Sequence, residues 1–180
     1  IIKSKVMTNN LIEDSLKKCD IKSGDTIMLH GDAAVALQMN LENQNKNLKL
    51  LFDKIISYLG KSGTLIVPTF SYSFTKGEDF DVKNTPSKLG IFSEYFRKRN
   101  DVIRSKHPMF SVSTIGKHAK SFENSDIKTC FGKDTVFDLL FNLSGKIVCF
   151  GCSFNRITFA HFVEEKLKVK YRYQKKFSGW

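Results

Sequence analysis

The stretch Leu48-Lys49-Leu50-Leu51-Phe52-Asp53-Lys54-Ile55-Ile56-Ser57-Tyr58-Leu59-Gly60-Lys61-Ser62-Gly63-Thr64-Leu65-Ile66-Val67-Pro68 decides the fold. Leu48, Leu51, Phe52, Ile55, Ile56 and Leu59 recur at the spacing of one helix face. Gly60 to Gly63 ends that helix. Thr64 to Pro68 is then apolar without polar alternation, as in a strand covered on both faces. Upstream, Asp25-Thr26-Ile27-Met28-Leu29 has the same character and is broken by His30-Gly31-Asp32. Strand, helix and strand at this spacing predict a βαβ unit in a parallel sheet.

The flanking chain continues the pattern. Thr8 to Cys19 is expected to be helical, with Leu11, Ile12, Leu16 and Cys19 on one face. Ala33 to Met39 restarts as a helix after His30-Gly31-Asp32. A strand, a glycine turn and a helix start together expose N–H groups to an anion, although one glycine is not a phosphate fingerprint. Asn40 to Asn47 is polar. Thr69 to Ser87 is a long loop rich in hydroxyls and aromatics, a length usually kept for function or disorder. Leu89 to Arg99 is the next helix, with Leu89, Phe92 and Phe96 inward. Arg104-Ser105-Lys106-His107-Pro108 is a polar cluster, and Phe110 to Ile115 alternates like a half-buried strand. Val136 to Asn142 reads as a helix and Lys146 to Phe150 as a strand. There is no internal repeat or linker.

With 180 residues, one domain spanning residues 1–180 with a real core is expected. Apolar content is 41% and charged content 26%, ordinary for a globular protein. A net charge of +11 favours anionic partners. No apolar run reaches membrane-spanning length and no signal peptide is visible, so no membrane partner and a cytoplasmic location are expected. The four cysteines, at 19, 130, 149 and 152, do not form a disulfide framework in a chain this size. Cys149-Phe150-Gly151-Cys152 has no second cysteine pair, so no metal site is expected.

The chemistry-bearing stretch is Ile157-Thr158-Phe159-Ala160-His161-Phe162-Val163-Glu164-Glu165. Thr158 is a suitable N-cap, and Phe159, Phe162, Val163 and Leu167 form an apolar stripe. His161 lies three residues before Glu164 and four before Glu165, so one carboxylate shares its face. A histidine oriented by a carboxylate is a general base working near neutral pH. The same spacing also describes a helix with one exposed histidine and two solvated acids.

Four pieces in order resemble the aminoglycoside 3-N-acetyltransferase-like acyltransferases. They are Gly24-Asp25 with Leu29-His30-Gly31-Asp32; Gly63 to Ser71; Phe80-Asp81 with Thr85 to Gly90 and Arg104 to Pro108; and the His161-to-Glu164 segment with Tyr171-Arg172-Tyr173 and Phe177-Ser178-Gly179. The resemblance implies an α/β fold, a three-layer α/β/α sandwich with a mostly parallel central sheet. It also implies transfer of an acetyl group from acetyl-CoA, as co-substrate, to an amine. His161 and Glu164 fall on the family's catalytic pair. The resemblance places CoA along His30, Gly31, Asp32 and Ala33, the turn with Thr69 and Ser71, and the segment with Arg104, Ser105 and His107. Arg104 and Lys106 suit phosphate charge. The chain departs from the family at His30-Gly31-Asp32, where His-Ser-Ser is usual, and Asp32 would repel a nearby phosphate. Family members also continue past Phe-Ser-Gly, so the domain is expected to be incomplete at its C-terminal end.

The leading expectation is an acetyl-CoA-dependent N-acetyltransferase acting on an amino sugar, free or nucleotide-linked, in surface polysaccharide synthesis. Charge motivates that acceptor: a chain at +11 repels polycations and steers in anions. The alternative within the class is aminoglycoside 3-N-acetylation. Another class, a basic nucleic-acid-binding domain, matches the six basic residues from Lys166 to Lys176 but leaves the His/Glu pair unexplained. A fourth reading is a relative inactivated by Gly31-Asp32. The sequence leaves homo-oligomerisation open.

Overall fold

The computed structural model describes residues 9–39 and 43–179. Its sheet holds β1 (Thr26–Gly31), β2 (Thr64–Pro68), β3 (Ile103–Arg104), β4 (Val112–Gly116) and β5 (Lys146–Phe150), in the order β3-β4-β2-β1-β5. On one face lie α1 (Asn9–Lys18), α2 (Gln44–Leu59) and α3 (Ile91–Arg97). On the other lie α4 (Ala119–Glu123), α5 (Val136–Asn142) and α6 (Phe159–Lys166). The three-layer α/β/α expectation therefore holds. Strand residues divide between two cores by the two-residue period. Ile27, Leu29, Leu65 and Val67 join Leu48, Phe52, Phe92 and Phe96 on the first face. Met28 and Ile66 join Phe122, Phe137 and Phe162 on the second. Cover on both faces explains why β1 and β2 show no polar alternation.

The sheet is mixed. β1 pairs in parallel with β2 and β5, whereas β4 is antiparallel to both β2 and β3. The cause is the path after β2. β4 begins beside the end of β2, with Val112 opposite Pro68, so it starts where β2 stops and must run back. Backbone bonds from Thr69 N–H to Ser111 O and from Ser71 N–H to Met109 O extend that pairing past the strand ends.

Several local expectations shift. β1 does not break at His30 but continues to Gly31, because His30 and Gly31 pair with Cys149 and Phe150. A β-carbon on residue 31 would lie 2.4 Å from the Phe92 ring, so the glycine is required by close packing. Ala33–Met39 forms a 3-10 helix. α2 starts at Gln44 because the Asn43 side chain caps the Lys46 N–H at 2.9 Å. α3 starts at Ile91 because Gly90 (φ 95°) has backbone that cannot continue a helix. The Phe110–Ile115 alternation does not mark a half-solvated strand: Ser111, Ser113 and Thr114 are fully buried. Ser111 Oγ donates to Thr69 O at 2.9 Å, and Ser113 Oγ to Thr69 Oγ1 at 3.4 Å. Among the described residues no helix is long and apolar enough to cross a membrane.

This topology sets a switch point in the sheet. α2 connects β1 to β2 across one face, while α5 leads into β5, on the other side of β1, from the opposite face. The carboxyl end of β1 is thus the switch point of the parallel strands, where ligands of such sheets bind. His30 to Ala33, the turn after β2 and the start of α6 all follow carboxyl ends of these strands.

Candidate active site

α6 follows β5 through Gly151 (φ 70°) and a 3-10 turn at Phe154–Arg156. Thr158 does not cap it; its backbone is already helical and its side chain makes no cap bond. Phe162 anchors the helix: it is buried and packs on Phe141 and Phe159 with ring centroids 5.9 and 5.1 Å away. Val163 and Leu167 are exposed, so the inward stripe is narrower than expected.

His161, the residue before this anchor, has 49% of its side chain exposed. Its Nδ1 lies 3.0 Å from Glu164 Oε2. A carboxylate only accepts, so this contact calls for a hydrogen on Nδ1, the tautomer that leaves Nε2 its lone pair; Arg172 Nη1, which only donates, also lies 2.7 Å from Nδ1. Glu164, not Glu165, is therefore the acid that meets His161. Its carboxyl is held below the ordinary value, first by the bond from His161 and then by Tyr171 and Arg172. Tyr171 OH donates to Oε1 at 3.1 Å and Arg172 Nη1 donates to Oε2. The His161 ring stands edge-on to Phe131 at 5.6 Å. Phe131 continues into an aromatic wall through Phe110 at 5.1 Å and Phe137 at 5.3 Å.

The residues expected along CoA behave differently. The Arg104 guanidinium does not face solvent as a phosphate ligand. It is buried and donates to Thr69 O at 2.9 Å, Val82 O at 3.0 Å, Thr85 O at 2.6 Å and Ser111 Oγ at 3.2 Å. Its plane also sits over Phe80, 5.0 Å from the ring centre. Burial lowers its pKa only to about 10, so it stays charged and every donor stays in place. Ser105 Oγ accepts from Val112 N–H at 2.9 Å. His107 Nδ1 accepts from Met109 and Phe110 N–H, and its Nε2 donates to Thr129 O at 3.1 Å. Thr69 Oγ1 donates to Ser111 O at 3.2 Å and Ser71 Oγ to Pro108 O. Thr69, Ser71 and Arg104 thus join the turn after β2 to the segment before β4, while Ser105 and His107 brace that segment itself. Lys106 alone of its cluster is exposed.

At the end of β1, Asp32 turns its carboxylate onto Ala34 N–H at 2.8 Å, filling the donor that would have met an anion. His30 is 7% exposed and its Nε2 has no partner. Burial pushes its pKa down to about 4, and burial also lowers that of His107. Unfolded imidazoles titrate near ~6.5, so below that pH the unfolded chain takes up protons that the folded chain refuses. The stability contributed by these neutral histidines is full above that value and is lost as pH falls through the folded value. Thermal melts from about pH 7.5 to 4.5 are expected to show Tm falling across this window, and His30→Leu to flatten the fall. An unchanged slope in His30→Leu would remove His30 as a cause.

Two open clefts of about 600 and 610 Å³ run along α3, lined by Glu94, Lys98 and Arg99 among others. α3 and α6 lie on opposite faces of the sheet. Three of the cations lining them are in ion pairs: Arg97 and Lys98 pair with Glu94, and Arg99 with Asp53 and Asp101.

Phe131, Tyr171 and Arg172 had no site role in the sequence reading. Tyr171 and Arg172 return to Glu164 because Lys168 takes left-handed backbone (φ 51°) after α6. Lysine carries no signal for that turn.

A histidine in contact with a carboxylate thus stands beside the carboxyl ends of parallel strands in an α/β protein. The chain belongs to the aminoglycoside 3-N-acetyltransferase family, whose model matches residues 39–179. It is 20% identical over 183 residues to the SPbeta prophage-derived aminoglycoside N(3')-acetyltransferase-like protein YokD of Bacillus subtilis, covering 89% of this chain and 65% of that protein. The crystal structure of YokD superposes with a TM-score of 0.74 at 21% identity, over 93% of this chain and 72% of that one. A mutant of aminoglycoside acetyltransferase AAC(3)-IVa in complex with apramycin gives a TM-score of 0.78 at 20% identity, over 94% and 66%. AAC-IIIb in binary complex with CoASH gives 0.74 at 18% identity, over 88% and 64%. The chain thus spans about two thirds of the length of these relatives.

Proposed function

We propose that the chain carries the acetyl-transfer centre of an acetyl-CoA-dependent N-acetyltransferase whose acceptor is an amine on an aminoglycoside-type amino sugar. The observation that carries this reading is the 3.0 Å contact between His161 Nδ1 and Glu164, which leaves Nε2 free. An acceptor ammonium has no lone pair until it loses a proton. His161 Nε2 takes that proton, and Glu164 stabilises the imidazolium that results. The freed amine then attacks the thioester carbonyl. As the carbon–sulfur bond breaks, the imidazolium can return its proton to the departing thiolate, and the attacking nitrogen loses its second proton to the vacated Nε2 and from there to water, so no covalent enzyme intermediate is needed. The bare Nε2 of His30 fits a polar group of the acetyl donor arriving at the end of β1. Thr69, Ser71, Arg104, Ser105 and His107 shape that end from behind. Asp32, already bonded to Ala34 N–H, suits an amide-bearing arm there better than a phosphate.

The relatives favour aminoglycosides as acceptors. Charge favours a second acceptor, an anionic, nucleotide-linked amino sugar: between Arg156 and Trp180 there are seven basic and two acidic residues. Acetyl-CoA offered with a panel of both acceptor types, with products detected by mass, is expected to yield a monoacetylated aminoglycoside. Acetylation confined to the nucleotide-linked sugar would move the assignment to the second reading. A panel without product, together with no thermal stabilisation by CoA, would overturn both.

A further inference from the structure

Spacing alone holds Glu164 to His161 only weakly, because exposed pairs three residues apart on a helix interact little. The chain after α6 supplies the rest. α6 ends at Lys166, and Val169 N–H donates back to Glu164 O at 3.3 Å. This return brings Tyr171 OH to Oε1 and Arg172 Nη1 to Oε2, the oxygen that also meets His161 Nδ1. Three donors on a carboxylate with about four acceptor positions leave it little freedom to turn away. Arg172 lies 6.0 Å from the centre of Phe131, the same ring that His161 packs against. Farther on, Gly179 passes so close to Phe74 that a β-carbon there would lie 2.5 Å from the ring. The tail thus runs from the base to the 3-10 turn at Ser73–Lys76.

We propose that Arg172, assisted by Tyr171, is the positioning residue of the base: it holds Glu164 in the rotamer that keeps the hydrogen on His161 Nδ1. Arg172 Nη1 comes within 2.7 Å of Nδ1 because both donors converge on Oε2. A guanidinium can only donate. Arg172 already lies closer to Nδ1 than Glu164 does, at 2.7 against 3.0 Å, so Oε2 must take the hydrogens of both donors; were Glu164 to swing away, Nη1 would be left to donate to Nδ1, moving the hydrogen to Nε2 and blocking the base. The order Arg172, Glu164, His161 is therefore what makes Nε2 available. The charged and titratable groups contacting His161 are Glu164 from its own helix and Arg172 from the tail, with Tyr171 on the far oxygen of Glu164. Phe131 adds a ring and no charge.

The catalytic consequence rests on the acetyl-transfer reading; the tautomer does not. The test therefore pairs nitrogen-15 NMR of the His161 ring in the full chain, without substrate, with steady-state kinetics. The wild type is expected to show Nδ1–H. Arg172→Ala is expected to mix the tautomers and lower kcat roughly tenfold at constant KM for acetyl-CoA. Arg172→Lys regains part of both, and Tyr171→Phe causes a smaller loss. A wild-type tautomer and kcat in Arg172→Ala overturn the proposal. So does a parallel loss of kcat, KM and Tm that lysine does not restore, which marks a merely structural role. A tautomer shift in Arg172→Ala, in a chain whose wild type acetylates nothing, overturns acetyl transfer and leaves the positioning role standing.

Discussion

His161→Ala is expected to lower acetyl transfer by roughly 100- to 10,000-fold, the range contributed by a positioned general base. The loss belongs in kcat, because the imidazole acts on a proton in flight and not on the resting acetyl donor. CoA-induced thermal stabilisation should persist. The variant is also expected to fold, since His161 is half exposed and Phe162, not His161, anchors α6. Glu164→Gln keeps the shape and removes the charge that stabilises the imidazolium, so its loss is smaller and again in kcat. Steady-state rates with saturating acceptor check both. A His161→Ala rate within a few-fold of wild type would mean that the acceptor amine loses its proton elsewhere, and the pair would revert to a solvated helix turn.

The βαβ unit was legible because two-sided burial writes itself into composition. Thr64 to Pro68 has no polar alternation, and α2 carries a clean apolar face. What lay outside local pattern was direction. The sheet turns antiparallel at β4 because a segment of more than forty residues returns to the end of β2, and no residue in that segment states where it returns. β3 is two residues long, below any periodicity. Ser111 and Ser113 look solvent-facing in sequence, yet their hydroxyls are satisfied by Thr69 inside the protein. Hydroxyl groups carry no mark of whether water or a carbonyl will meet them.

The site divides in the same way. His161 and a following acid were visible from helical spacing, which admitted Glu164 and Glu165 equally. The choice between them depends on the chain folding back at Lys168, a left-handed position without glycine to announce it. The polar cluster at Arg104 to His107 was visible too, but charge in a sequence has no direction. Lys106 points to solvent, while Arg104 and His107 point inward to carbonyls and amides that appear only once the long loop is in place.

That inward direction makes Arg104 the position with the largest expected effect on stability. Arg104→Met fills similar volume and removes every donor. Thr69 O keeps Ser111 Oγ as a partner, so it is not orphaned. Val82 O and Thr85 O lose the guanidinium that ties the long loop to the sheet. Counting one to two unmet carbonyls, with partial rescue by water, the loss is about 2–4 kcal/mol. Arg104→Lys is expected to recover less than half, because an ammonium cannot span three carbonyls that a planar fork reaches at once. Chemical denaturation midpoints check the magnitude, and amide exchange across residues 80–87 checks the cause. The exchange should accelerate in both variants even under native conditions, since the loop can open without the sheet. An Arg104→Met chain with wild-type midpoint and wild-type exchange would show that the loop holds itself, and would free Arg104 for the ligand role that its sequence context first suggested.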